Sequence, residues 1–393
     1  VSAAPANLPA VKNTTMKNTT VLISGAGIAG PALALWLTRY GATTTIVEKA
    51  PAPRTTGQAV DFKGATHRTV LTRMGILDDV HLRRTGGTDQ TVVDANGRPL
   101  TVIPGAFTGG DVEIRRGDLV ELLHDRTRQG CEYVFGDWIT SLTDTPGGVH
   151  VTFAHGAPRT FDLVVGADGI HSNVRRLAFG PEEDHVRFLG HHYALADLDV
   201  AGEHLVYNEP GRMVALGGPK AQAFFVFASP EPHPHRADVT TQKELLVNAY
   251  RGGGWRIPEI LAAVPAVTGF HLDSISRVDL DDYARGRVVL LGDAAYGNTL
   301  GGFGTGLAIV GAHVLAGELR RADGDHTTAF RRYTELFRGY AAVAKKGNAG
   351  PFLAPRTGLG IRLRNLVFEH SALFGAMMRF TDRFATRIDL PEY

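Results

Sequence analysis

TVLISGAGIAGPALALWLTRYGATTTIVE, residues Thr20 to Glu48, decides how the chain folds. Val21, Leu22 and Ile23 form a short apolar run, the pattern of a strand buried on both faces. The run enters a full G-x-G-x-x-G, Gly25 to Gly30, with Pro31 in a place that suits a first helical turn. Ala32 to Tyr40 has helical composition, and Gly41 stands where a helix ends. Thr44 to Val47 reads as a second strand. Glu48 then follows the glycines by about 20 residues, the distance at which a dinucleotide fold sets a ribose-binding acid.

Each residue type has a physical reason. Gly25 permits the tight turn, Gly27 lets the main chain approach a pyrophosphate, and Gly30 lets helix and strand pack closely. Ile28 and Ala29 lead into the helix, whose first amides and partial positive charge favour phosphate. Glu48, with Lys49 beside it, suits a free ribose hydroxyl, so the expected nucleotide is FAD or NAD rather than NADP. A glycine motif set between a strand and a helix, with an acid at this distance, is specific.

Working outward, the 393 residues can hold two packed lobes, and a hydrophobic content of 44% is enough for real cores. A formal net charge of +1 gives no case for nucleic acid or an anionic membrane. The single cysteine, Cys131, excludes an internal disulfide, an iron–sulfur cluster and a thiolate zinc site, and it favours a reducing cytoplasm. No apolar run reaches the ~18 residues of a membrane-spanning helix. Val1 to Thr19 lack the charged start and apolar core of a secretory signal, so residues 1–19 are expected to form a disordered leader.

Gly57 to Phe62 alternates like a strand, and Thr66 to Leu77 has helical spacing. Thr85 to Thr101 reads as a hairpin turning at Asn96-Gly97. Val112 to Arg115 leads through Arg116 into a helix with Leu119, Leu122 and Leu123 on one face. Tyr133–Phe135, Ser141–Thr143 and Val149–Phe153 are expected as short antiparallel strands. Phe161 to Val165 is again a buried strand, ending on Gly166-Ala167-Asp168-Gly169-Ile170-His171-Ser172 with Val174-Arg175 beyond. From about residue 182 to 278, strand-like runs broken by Gly/Pro turns indicate an antiparallel sheet and a second domain. His191-His192 and the His233/His235 pair lack a third ligand at metal spacing, so no metal is expected. Val288 to Leu291 returns to buried-strand character and delivers Gly292-Asp293. A glycine-rich loop, Gly297 to Gly306, then opens a helix over Leu307 to Arg321 that is apolar nearly all round and hence buried. Thr327 to Lys346 is amphipathic. Residues 351–393 read as further helices with Arg362, Arg364, Arg379 and Arg383 outermost.

Three strand exits thus carry glycine or carboxylate: Gly25–Gly30, Asp168-Gly169 and Gly292-Asp293. Together, G-A-G-I-A-G, Arg116 in R-G-D-L, G-A-D-G-I-H-S-x-V-R and L-L-G-D-A-A resemble the single-component FAD-dependent aromatic hydroxylases. These are the para-hydroxybenzoate hydroxylase-like monooxygenases, including polyketide hydroxylases and tetracycline-modifying enzymes. The resemblance spans roughly Val21 to Glu318. It implies a Rossmann-like α/β FAD-binding domain (20–181 and 279–350, with 76–105 able to pack on the second domain). It also implies a mostly antiparallel β-sheet substrate domain (182–278) and C-terminal helices (351–393).

On that resemblance Glu48 holds the adenosine ribose and Arg116 contacts FAD. Asp168 serves both FAD and the nicotinamide nucleotide, and Asp293 accepts a hydrogen bond from the ribityl chain. Gly304, Thr305 and Gly306 open a helix whose N-terminus favours negative charge on the reduced flavin. The sequence departs from the family in the Tyr296 to Gly304 run, which lacks the usual histidine and proline; a more flexible loop is expected. NADH or NADPH is expected as a transient donor, with O2 as oxidant and monooxygenation of a hydrophobic aromatic or polyketide-type molecule as the reaction. Asp61, Phe62, Tyr193, Arg212, Phe225 and Phe227 are the candidate substrate contacts. Partners are otherwise limited to small molecules, the protein being a monomer or homodimer. The rival readings are an FAD-dependent oxidase or reductase on the same scaffold, an NAD-dependent dehydrogenase that uses the first motif alone, and a non-catalytic binding module on a flavin fold.

Overall fold

A computed structural model describes residues 16–54, 58–108, 110–198, 204–218, 222–232, 238–302, 304–345, 347–370, 372–375, 388 and 390–393. The opening stretch folds as strand β1 (Thr20–Ser24), helix α1 (Ala29–Arg39) and strand β2 (Thr43–Glu48). The helix starts three residues earlier than its composition suggests, because Pro31 sits inside the first turn rather than before it. At the other end Gly41 takes φ +91°, and its N–H and that of Ala42 reach back to Thr38 O and Leu37 O. Met16, assigned to the leader, is instead buried and donates its N–H to Tyr40 O. Residues 1–15 lie outside the described residues.

β1 is central in a six-stranded sheet whose order is Ala284–Arg285, Val288–Leu290, Leu163–Gly166, β1, β2, Cys131–Phe135. All pairs are parallel except that between Ala284–Arg285 and Val288–Leu290. Tyr133–Phe135 therefore belongs to this parallel sheet and not to an antiparallel group; Ile46 and Val47 are its partners. Ile139–Thr145 and Gly148–Phe153 do pair antiparallel, with Arg159–Phe161 as third strand. The Gly304–Arg321 helix packs beside α1 and is buried from Gly306 through Leu319.

A second, seven-stranded sheet has the order Phe270–Val278, Val186–Ala196, Ala223–Ala228, Arg212–Leu216, Leu205–Glu209, Gln90–Val93, Pro99–Ile103. It is antiparallel except where Leu205–Glu209 runs parallel to Gln90–Val93. The Gln90–Ile103 hairpin turns where Asp94 Oδ1 accepts the N–H groups of Asn96 and Arg98. One face of this sheet is covered by helices Val239–Tyr250 and Ile257–Ala263. The other face meets Leu300, Phe107 and the C-terminal helices Ala349–Leu353 and Gly358–Glu369. Arg364 does not lie on the outer surface of those helices. It is buried, and its guanidinium donates to Leu353 O and Asn208 Oδ1. Arg362 is exposed, while Arg379 and Arg383 lie outside the described residues.

Candidate active site

The register of the parallel sheet brings the three motifs level. Ser24 is opposite both Gly166 and Val47, and Gly166 is opposite Leu290. The segments that leave these strands emerge side by side, at the edge where open α/β sheets bind ligands. They touch one another. A side chain at Gly25, which has φ +108°, would strike Ala167 O, and one at Gly292 would stand 3.0 Å from Ala29 Cβ. Arg175, fully buried, donates from Nη1 to Ala294 O at 2.9 Å and from Nη2 to Ile170 O. It thereby ties the second strand exit to the third.

Glu48 accepts Ala26 N–H at 2.9 Å on Oε2 and Ala50 N–H at 2.8 Å on Oε1, so the acid shapes the glycine turn. Lys49 Nζ lies 5.4 Å from the centre of the Trp138 ring. Ile28, the N-cap of α1, offers no side-chain cap to the helix's first amides. A Cβ at Gly30 would collide with Gly25 O, whereas one at Gly27 would meet only Arg116 Nη2, 4.0 Å away. Gly30 thus serves packing. Gly27 faces an open space with a guanidinium on its far side, which is the setting a pyrophosphate requires.

Asp168, half-buried, anchors its own turn. It accepts the Ser172 hydroxyl, Asn173 N–H at 2.9 Å and Val174 N–H at 3.1 Å, and Ser24 Oγ lies 3.3 Å away. Burial raises its pKa against the pull of these bonds. Asp293 differs: its side chain is open to solvent at the N-terminus of a short helix, Asp293–Tyr296. Protein surrounds it closely enough to raise its carboxyl, with Arg116 opposing. A carboxylate both accessible and enclosed marks the floor of a cleft. A Cβ at Gly304 would lie 3.7 Å from Asp293 Oδ1, so this acid and the start of the Gly304–Arg321 helix share that floor. Thr305 is half-buried beside it, and Gly306 packs on the ring of buried His67.

These features fit FAD: an uncapped helix start, a glycine with room for a phosphate, an arginine across from it and a carboxylate on the same floor. An FAD-binding-domain family model matches residues 18–324. A flavin-dependent monooxygenase of Legionella longbeachae is 36% identical over 346 residues, covering 84% of this chain and 88% of that one. An uncharacterized protein of Mycobacterium tuberculosis is 39% identical over 337 residues, covering 82% and 90%. The crystal structure of tetracycline destructase Tet(55) superposes with a TM-score of 0.80 at 33% identity, covering 97% of this chain and 99% of that one.

The chain belongs to the FAD-dependent monooxygenases. The reading as a dehydrogenase built on the first motif alone falls with this, since the match runs through all three motifs.

In this monooxygenase the proposed substrate contacts separate by face. Tyr193 is in register with Val226 and Asp273, and Val226 with Met213. These residues share the face that meets Leu300. Burial and then Asp273 raise the pKa of the Tyr193 hydroxyl, with Arg116 opposing and Asp293 adding a smaller push upward. Phe225 and Phe227 point the other way, into the helix-covered core, with Tyr250 at ring distances of 5.4 and 5.9 Å. Arg212, in register with Phe227, is held there by Glu209 and by Ala249 O at 3.0 Å. The expectation that these three line the substrate cleft is corrected: successive strand residues alternate faces, and these fall on the wrong parity. Phe62 is core, its ring 6.2 Å from that of His67. Asp61 pairs with Glu113 in a two-stranded sheet.

Over Gly297–Thr299 the proline-less loop is tethered by hydrogen bonds, while Phe303 lies outside the described residues. Gly297 O accepts Val278 N–H at 2.8 Å, Thr299 N–H donates to Ser276 O at 2.9 Å, and Asn298 Nδ2 reaches Gly347 O at 2.9 Å. Leu300 beyond it has φ +56°, rare for a leucine. His191 is buried against Gly350, and His192 stacks on Phe227 at 5.4 Å. His233 and His235 lie outside the described residues, among which no group of three or more His, Cys, Asp or Glu could hold a metal. No helix of the described residues is long and apolar enough to cross a membrane.

Four charged or polar groups at the site were not assigned from sequence. Arg175 and His171 stand inside the quoted G-A-D-G-I-H-S-x-V-R run, four residues apart, and that spacing was the available signal. Asp273 and His271 lie in a strand with no motif.

Proposed function

We propose that the protein binds FAD across Gly25, Gly27, Ile28, Ala29, Gly30, Glu48, Lys49, Arg116, Asp168, Gly292, Asp293, Gly304, Thr305 and Gly306, and oxygenates a polycyclic, hydroxyl-bearing aromatic or polyketide-type molecule. When bound, FAD supplies the redox chemistry, taking electrons from a nicotinamide donor and delivering one atom of O2 to the substrate. The observation that carries the substrate class is the Tyr193 face of the second sheet. That face is apolar over Met213, Phe224 and Val226 and meets Leu300, yet it carries the Tyr193 hydroxyl, opposite Asp273 and 3.3 Å from His271 Nε2. A flat apolar molecule with a few hydroxyls matches such a wall. The tetracycline destructase likeness supports the same class.

The chain's own residues orient and exclude water. The amides of α1 and the Arg116 guanidinium would hold the pyrophosphate, and Asp293 would accept from the ribityl chain. The start of the Gly304–Arg321 helix would face the electron-rich edge of the flavin. Tyr193 would orient a substrate hydroxyl. The division of labour follows the sheets: 20–181 and 279–350 for cofactor, with 76–105 and 182–278 for substrate. A supply of reduced nicotinamide favours the cytoplasm as the place of action.

The test is a visible absorption spectrum of the purified protein, followed by substrate-stimulated NADH or NADPH oxidation and oxygen-18 labelling. Polycyclic phenols should accelerate oxidation and carry label in the product. Label in water alone, or acceleration by hydroxybenzoates but not polycyclic phenols, would overturn the reading.

A further inference from the structure

One cluster of charges is left unused by that reading. His171 lies on the turn that leaves Asp168. Its Nδ1 is 2.8 Å from Glu182 Oε1, and its Nε2 is 3.0 Å from Asp273 Oδ1. Glu182 opens the short helical turn Glu182–Asp184. Asp273 is mid-strand in Phe270–Val278, directly across from Tyr193, and Tyr193 OH lies 3.3 Å from His271 Nε2. One imidazole therefore joins the segment behind the parallel sheet to the wall of the other sheet. Arg175 extends the row, with Nη2 4.0 Å from Glu182 Oε2 and Nη1 on Ala294 O, beside Asp293. Positive and negative groups alternate from the cofactor floor to the Tyr193 wall.

The placement matters because Phe270–Val278 is the last strand of its sheet: Val186–Ala196 pairs it along one side, and on the other side Gly297–Thr299 bonds to Ser276 and Val278. His171 adds a side-chain anchor at Asp273, three residues before the first of those loop contacts. We propose that His171 is a positioning residue: as an imidazolium clamped between Glu182 and Asp273, it fixes the Tyr193–His271 wall against the cofactor cleft. The proposal rests on the reading that this wall meets the substrate.

Both ring nitrogens face carboxylates, so both donate and the ring carries charge. Burial alone would lower the His171 pKa, but the bonds to Asp273 and then Glu182 prevail and raise it to about 9. Asp273 moves the opposite way, held below its usual range by His171 despite burial. The groups around the clamp are the charged Glu182 on the short turn, Asp273 on the last strand and Arg175 on helix Asn173–Phe179, with His271, whose pKa burial lowers, beside Asp273. A raised pKa sets the sign: the clamp is whole at neutral pH and is lost as pH rises through about 9.

The test uses the FAD-loaded protein and tetracycline as the polycyclic probe, its dissociation constant read by flavin fluorescence. At pH 7.5, His171→Gln should weaken binding about tenfold with FAD content unchanged. Amide exchange should quicken in Phe270–Val278 and stay the same in Thr20–Ser24. His171→Lys keeps a cation between the carboxylates and should restore most of the affinity. Wild-type affinity should fall as pH passes 9, where His171→Gln stays flat. Unchanged affinity in His171→Gln, or equal loss in the Gln and Lys variants, would overturn the clamp. Should tetracycline fail to bind the wild type, the substrate reading fails by itself. The exchange data then decide, and unaltered protection of Phe270–Val278 in His171→Gln would sink the proposal.

Discussion

Leu163–Gly166 and Ala223–Ala228 are both short, apolar and buried, yet they serve function in opposite ways. The first delivers its chemistry at its end. Both its faces are packed, and only the residues past Gly166 reach the cleft. In the second, on the reading proposed above, one face would serve the cleft: Phe224 and Val226 lie on the Tyr193 side, while Phe225 and Phe227 pack under the helices. A parallel sheet puts its ligands at strand exits, where motifs collect and can be read. An antiparallel sheet with two covered faces hides which half of its residues is functional, because both halves are apolar.

Phe225→Ala gives the largest expected effect. It should cost about 3–5 kcal/mol in urea titration, as a fully buried phenylalanine does. KM of the folded fraction should not move; a large KM change at unaltered stability would break the assignment of faces.

Next come the two glycines. Gly30→Val should destabilise by about 3 kcal/mol or more, since its side chain meets Gly25 O. Gly27→Val should fold normally but lose FAD affinity by about 100-fold, roughly 2.7 kcal/mol. Melting curves and flavin content separate the pair, and equal melting temperatures for both would erase the distinction between packing and ligand room.

Acid sharpens the comparison from the side of the first lobe. Burial lowers the pKa of His67, packed on Gly306, to about 4, and burial with Arg73 lowers that of His313 to about 4. The unfolded chain binds these protons first, so stability should fall as pH drops from about 6.5 toward 4, by up to about 3 kcal/mol for each ring. His67→Gln should remove about half of that slope in pH-dependent unfolding.

Tyr193→Phe should be the mildest. Stability should stay within about 0.5 kcal/mol, while substrate KM rises several-fold with kcat less affected. Steady-state kinetics check it, and an unchanged KM would remove Tyr193 from the cleft.

How much of this was legible in the sequence follows from the same contrast. The glycine turn, Asp168 and Asp293 could be read because each demands a residue type at a strand exit. Arg212, Phe225 and Phe227 could not be placed, because β-alternation fixes relative facing but not which parity looks at the cofactor. Tyr133–Phe135 was drawn into an antiparallel group by its neighbours in sequence, although its partner, β2, lies over 80 residues away. Arg364 passed for a surface charge because nothing local announces that Asn208 and Leu353 O will receive it. His171 stood in plain view inside a motif. Its partners Glu182 and Asp273 are brought to it only by tertiary folding.

The tethered Gly297–Thr299 loop carries one further consequence. Its bonds to Ser276 and Val278 fill positions on the outer side of the last strand of the seven-stranded sheet. At the opposite margin, Pro99 opens the terminal strand and the Gly358–Glu369 helix leans on it. Free strand margins recruit other chains into aggregates. The loop that follows Asp293 in sequence therefore covers part of a strand margin, and changes there should be scored for solubility as well as for turnover.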